Sequence, residues 1–115
     1  MRAVACFTFD NMAEAADLGA GRLACPRDAG TDASLATGYP ALFALLERRA
    51  VRATFFIEGW NGVRHPDAVR AIVARGHELG MHGWQHEEWQ QLDADTERSL
   101  AAQATEALED AAGVR

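Results

Sequence analysis

No lysine occurs among the 115 residues, and all 11 basic side chains are arginine. That removes a Schiff-base lysine and the lysine of a phosphate-binding P-loop from the available chemistry. Serine is nearly as scarce. Ser34 and Ser99 are the only two, and neither lies in a Gly-x-Ser-x-Gly turn, which excludes a serine-hydrolase elbow. The two cysteines, Cys6 and Cys25, form no CxxC pair and are too few for a disulfide framework. Cys6 lies in an apolar run and is expected in the core. Positive charge is also short, with a formal net charge of −6, so no clustered basic face is available for nucleic acid. No apolar run approaches bilayer length, and the N-terminus passes directly into strand-like sequence without a basic region and apolar stretch. The expectation is a soluble, cytoplasmic protein with neither a membrane nor a nucleic-acid partner. Its chemistry must use Asp, Glu, His, Cys or a metal.

The densest chemical stretch is Gly76-His77-Glu78-Leu79-Gly80-Met81-His82-Gly83-Trp84-Gln85-His86-Glu87-Glu88-Trp89, which holds three of the 4 histidines. His82 and His86 are separated by a spacing at which two imidazoles converge on one metal ion, from a helix face or from a folded loop. Glycines at 76, 80 and 83 disfavour the helix, so Glu78 to His82 reads as a short buried strand running into a loop. Read alone, such a pair is more often a set of surface or capping residues than of ligands.

Length supports one modest core, and residues 1–115 read as one domain or part of one. Ala3-Val4-Ala5-Cys6-Phe7-Thr8-Phe9 predicts a strand covered on both faces and ending at Asp10-Asn11. One or two helical turns fit between Met12 and Leu18. Residues 19–38 have no periodicity and read as a lid or binding loop. Pro40 opens a helix with Leu42, Leu45 and Leu46 on one face. Ala53-Thr54-Phe55-Phe56-Ile57 is the second strand, with a polar and aromatic exit through Glu58-Gly59-Trp60-Asn61-Gly62. Pro66 opens the next helix, with His65 near its N-cap, Val69, Ile72 and Val73 on its apolar face, and Gly76 as its stop. Asp93 or Asp95 caps a final helix that turns Leu100, Ala101, Ala104 and Leu108 inward and ends at Gly113. Strand and helix alternating three times predicts right-handed βαβ units and a parallel sheet. Functional groups in such folds gather at the C-terminal strand ends, which here carry Asp10-Asn11, Glu58 with Trp60, and His82 with His86.

Thr8-Phe9-Asp10-Asn11, Ala53-Thr54-Phe55-Phe56 and the segment Gly76 to His86 together resemble the polysaccharide deacetylase family, also called the NodB homology domain or carbohydrate esterase family four. The family's corresponding motifs are Thr-Phe-Asp-Asp, a second strand, and Gly-His-Glu-x-x-x-His-(Ser/Thr)-x-x-His. The resemblance implies an α/β fold, the first half of a distorted (β/α) barrel with parallel strands alternating with helices. It implies hydrolysis of a non-peptide carbon–nitrogen bond, with Asp10 as general base and His82, His86 and Asn11 holding a divalent cation, usually Zn2+. The substrate would be an N-acetylated sugar or a small amide or ureide. Glu58, Trp60, Asn61 and Trp84, with Trp89 near the same mouth, are candidate substrate contacts. The aromatic rings serve equally as rim packing, and Glu58 and Asn61 as caps of the strand exit. His77 and Glu78 are expected to be structural, and Gly80 and Met81 to be packing.

Two departures from the family pattern stand out. Asn11 replaces the carboxylate ligand, so the site is expected to bind weakly or to be completed by Asp10, Glu14, Asp17 or water. Alternatively the chain is a metal-free, allantoinase-like amide or ureide hydrolase. Gly83 replaces a Ser or Thr whose hydroxyl would brace the loop. The sequence also stops at Ala112-Gly113-Val114-Arg115, before the family's later Arg-Pro segment and late histidine. The expectation is therefore a missing C-terminal half or a homodimer that covers the open barrel. A non-catalytic binding or assembly module is the rival reading.

Overall fold

The computed structural model of the protein describes residues 3–114. Strands β1 (Thr8–Asp10), β2 (Thr54–Ile57) and β3 (Glu78–Met81) form one parallel sheet in the order β1-β2-β3. Helix α1 (Ala15–Gly19) follows β1, and α2 (Tyr39–Arg48) leads into β2. Next come α3 (Gly59–Arg64) and α4 (Pro66–Ala74), then β3 and the long α5 (Ala94–Ala112). The predicted alternation is present, with one helix more than expected: the exit from β2 winds at once into α3.

Strand side chains alternate between sheet faces. In register, Phe9, Phe55 and Leu79 share one row and Ile57 pairs with Met81; this set points toward the helices. Phe55 and Ile57 are fully buried there beside Phe43 and Leu46 of α2, Val69 and Ile72 of α4, and Leu108 and Ala111 of α5. Phe55 is central: its ring lies 5.1 Å from Phe9, 5.7 Å from Tyr39 and from Phe43, and 5.2 Å from His77. Burying a ring of that size contributes about 1.5–3 kcal/mol from apolar area alone. The opposite face carries Thr8, Asp10, Thr54, Phe56, Glu78 and Gly80, and its residues are half-buried or exposed.

Several expectations are corrected. β1 is three residues long, not seven, and it is not covered on both faces; Cys6 is exposed and Phe7 is 52% exposed, so neither belongs to the core. The strand lies at the sheet edge, and only its helix-facing side meets a hydrophobic layer. On α2 the buried stripe is Phe43 and Leu46, and Leu45 points outward because its position lies about 100° from Leu46 around the helix. The aperiodic stretch before α2 ends in a π-helical turn, Ser34–Gly38, that runs directly into α2. It is tied down by charge: Arg22 meets Asp17 at 2.9 Å, Arg27 meets Asp32 at 3.1 Å, and Arg64 donates to the Arg27 carbonyl at 2.9 Å.

Asp93, not Asp95, caps α5, accepting from the backbone N–H groups of Asp95 (3.1 Å) and Thr96 (2.9 Å). Gly113 closes the same helix in the left-handed conformation, φ +72°. His77 accepts from the Ala53 N–H through Nδ1 at 3.3 Å and stacks on Phe43, the structural role expected of it. Gly80 is also structural, since a Cβ there would stand 2.5 Å from the Phe56 ring. Among the described residues no helix is long and apolar enough to cross a membrane.

Candidate active site

β2 supplies the reference points for everything at the C-terminal edge. The Asn11 N–H donates to the Phe56 carbonyl (3.1 Å), and the His82 N–H donates to the Ile57 carbonyl (2.9 Å). The turns after β1 and β3 are thus fixed to neighbouring peptides of one central strand. The β3 turn is tied again by α3, whose Gly59 and Trp60 N–H groups donate to the carbonyls of Gly83 (2.9 Å) and Trp84 (3.0 Å).

His82 and His86 come together as expected. Their ring centroids are 4.8 Å apart at an interplanar angle of 69°. Partial burial, then the neighbouring His86, hold the His82 imidazole below its ordinary value, while the charge of Asp10 acts in the opposite direction. Asp10 itself, at the end of β1, is exposed. Among the described residues no three His, Cys, Asp or Glu side chains are gathered for a metal ion. Of the expected ligands, the two imidazoles are adjacent, while Asn11 sits on the turn after β1, across β2 from them; imidazole and amide oxygen are donor types that suit a borderline cation such as zinc, without the negative charge of a carboxylate. The fit is thus one of donor type, and the set is charge-poor.

The turn carrying Asp10 and Asn11 is strained and clamped. Asn11 (φ +65°) and Ala13 (φ +45°) both occupy left-handed backbone, which costs a non-glycine residue about 1–2 kcal/mol. Tyr39 Oη donates to the Asn11 carbonyl at 2.7 Å, and the Ala13 N–H donates to Ser34 Oγ at 3.0 Å. Burial, with the carboxylates of Glu58 and Asp10 nearby, pushes the Tyr39 phenol upward, so it remains a donor.

Glu58 and Asn61, expected as substrate contacts, complete that clamp instead. Both are 0% exposed. Glu58 Oε2 accepts from the Met12 N–H at 3.2 Å and from Asn61 Nδ2 at 2.8 Å, and Asn61 Nδ2 also donates to the Met12 carbonyl at 3.0 Å. A substrate does not reach them, because α3 folds over the strand exit. Glu14 and Asp17 do not complete the histidine pair either. Glu14 is buried with Oε2 3.3 Å from His65 Nε2, and Asp17 pairs with Arg22. Trp60 and Trp84 are half-buried. Trp60 meets His65 edge-on at 6.0 Å, and Trp84 packs close to the Gly59 backbone. Their rings therefore serve partly as packing.

Sequence reasoning missed Tyr39, Ser34 and Glu87.

Burial, the dominant effect, raises the Glu58 carboxyl above its ordinary 4.5, against hydrogen bonds from the backbone and Asn61 and the attraction of His86. A raised folded value means that the folded state keeps a proton the unfolded chain has released. The associated stabilisation is complete below 4.5 and is lost as pH rises through the folded value. Glu58→Gln keeps a carbonyl acceptor and cannot ionise. Its melting temperature is expected to rise relative to the parent as pH climbs from 4.5 toward neutrality; melting curves that stay parallel across that range would count against a raised Glu58.

Three parallel strands alternating with helices, with Asp and His residues mounted at the C-terminal strand edge, give the chain the architecture of a segment of a (β/α) barrel. Residues 2–115 match the family model for polysaccharide deacetylases, and the chain belongs to that family. A crystal structure of a Mycobacterium smegmatis protein assigned to the polysaccharide deacetylases superposes with a TM-score of 0.78 at 38% identity, covering 95% of this chain and 39% of that one. Chitin deacetylase 1 of Saccharomyces cerevisiae is 48% identical over 48 residues, 42% of this chain and 16% of that protein. The structure of Puue allantoinase matches at 32% identity with a TM-score of 0.63, covering 68% of this chain and 26% of its own. The chain therefore spans less than half the length of each of these relatives.

Proposed function

We propose that this chain carries the base and cation-binding part of an enzyme that hydrolyses the acetamide of an N-acetylated sugar polymer. The observation that carries the reading is that Asp10, at the end of β1, and the His82–His86 pair, beyond β3, stand on the same C-terminal edge of one parallel sheet. His82 and His86, with Asn11, would hold a divalent cation, Zn2+ by donor type. When bound, such a cation supplies Lewis acidity to the acyl oxygen and to water. Asp10 takes the proton of the attacking water as it adds to the acyl carbon. Tyr39, Glu58 and Asn61 keep the Asp10 turn in place and stay out of contact with substrate. Trp84 and Trp60 offer the exposed parts of their rings to a sugar face.

The test is a Zn2+ titration by calorimetry together with acetate release from N-acetylglucosamine oligomers, on the chain and on His82→Ala. The expected result is Zn2+ binding that weakens by a factor of about 100 in His82→Ala, with acetate release falling in parallel. Zn2+ affinity and acetate release that do not respond to His82→Ala overturn the reading.

Asn11 favours a second reading, because a donor set without a carboxylate is poorly matched to a dication, and the similarity to an allantoinase supports it. In that case a small amide or ureide is hydrolysed at full rate in the presence of EDTA, and Asp10 is still required.

A further inference from the structure

The loop joining His82 to His86 is closed by the residue that follows it. Glu87 Oε2 accepts from the Trp84 N–H at 2.9 Å, and Oε1 accepts from the Gln85 N–H at 2.7 Å. Two successive backbone N–H groups facing one point form a concave donor pair of the kind that binds anions, and the chain fills this one with its own carboxylate. Gly83 makes room for it. Its φ is +75°, and a Cβ there would stand 2.7 Å from Glu87 Oε2. The glycine that replaces the family's hydroxyl residue and the carboxylate at 87 are thus complementary.

The opposite side of the same peptides is held by α3, through the Gly59 and Trp60 N–H groups on the Gly83 and Trp84 carbonyls. Residues 83–85 are therefore gripped from both sides. What the grip maintains is costly: His86 lies at φ +66°, a left-handed conformation worth about 1–2 kcal/mol against a non-glycine residue. Without it, nothing in the local sequence favours two imidazoles meeting edge to face at 4.8 Å.

We propose that Glu87 is a positioning residue for the His82–His86 pair. Its carboxylate locks the loop in the conformation that brings the two imidazoles together, and it acts through the Trp84 and Gln85 amides, without touching substrate. The conformational part stands on the loop geometry alone; only its consequence for cation binding rests on the function proposed above. Glu88 is the natural control. It is exposed, and its carboxylate accepts from the Gln91 side chain.

The experiment compares the chain with Glu87→Ala, Glu87→Gln and Glu88→Gln by two readouts. In metal-free protein, nuclear Overhauser contacts between the His82 and His86 ring protons are expected in the parent and in Glu88→Gln. They are expected to weaken in Glu87→Gln, which keeps one acceptor, and to vanish in Glu87→Ala. Co2+ titration followed by visible absorption is expected to weaken about 10–100-fold in Glu87→Ala, by less in Glu87→Gln, and not at all in Glu88→Gln. Ring contacts that persist unchanged in Glu87→Ala overturn the proposal whatever the cobalt result. Should Glu87→Ala fail to fold, contacts at parental strength in Glu87→Gln overturn it equally. A parent that binds no Co2+, yet loses its ring contacts in Glu87→Ala, removes the cation reading and leaves the positioning role in place.

Discussion

Asp10→Asn is expected to lower acetate release by about 10²–10⁴-fold, the range that a positioned general base contributes, while the melting temperature stays where it was. The two halves of that expectation have separate causes. The side chain of Asp10 is exposed and accepts none of the hydrogen bonds that clamp its turn; those fall on Asn11, Met12 and Ala13. An isosteric amide therefore leaves the clamp intact. What it removes is the negative charge acting on His82 and the capacity to take a proton from water. A rate unchanged in Asp10→Asn, measured with the Zn2+ site saturated, would remove Asp10 from the mechanism. A rate that falls only together with the melting temperature would assign it to structure.

Gly59→Ala is expected to be strongly destabilising. α3 and α5 approach each other backbone to backbone: a Cβ on Gly59 would lie 2.3 Å from Ala104 Cα, and one on Gly62 would lie 2.6 Å from the Ala107 carbonyl. Two effects oppose each other. Alanine in place of glycine within a helix gains about 1 kcal/mol from propensity. Overpacking against a rigid backbone costs about 1–3 kcal/mol or more, and here the obstructing atoms are main chain and cannot rotate away. The cost wins, and moving α3 to relieve it would also break the Gly59 and Trp60 hydrogen bonds that hold the histidine loop. Gly38→Ala is the counterpart. The nearest atom to its Cβ is 3.7 Å away and its φ is −62°, so the propensity gain stands unopposed and a stabilisation of about 0.5–1 kcal/mol is expected. Thermal or urea unfolding of the two variants checks the pair. A Gly59→Ala variant as stable as the parent would mean that α3 and α5 are not in close contact.

The alternation of strands and helices was legible because it is written in local periods. Ala53 to Ile57, the Val69–Ile72 stripe and the Asp93 cap with Gly113 carry their own structural instructions within a few residues. Errors arose where an outcome depended on what lies across space. Cys6 and Phe7 are as apolar as Phe55, and only their position at the sheet edge leaves them exposed. Glu58 and Asn61 look like substrate ligands because they are polar residues at a strand exit. Their burial follows from α3 forming immediately after β2, and a run of Gly-Trp-Asn-Gly gives little local sign of a helix. Tyr39 and Ser34 brace a turn more than twenty residues away in sequence, and no local pattern announces a partner at that distance.

The anchoring of both functional turns to Phe56 and Ile57 bears on how the chain tolerates changes in length. Side chains alternate along a strand, so one residue inserted near the end of β2 would displace its carbonyls by about 3.3 Å and reverse the direction in which they point. The Asp10 turn and the histidine loop would then lose their common reference together, leaving every catalytic side chain present and none of them in alignment. Between α1 and the π-helical turn before α2, the chain is exposed and held at a few ion pairs, and additional residues there need not disturb the strands. Homologous chains are therefore expected to vary in length before α2 and to keep an unvarying count from Thr54 through Gly59.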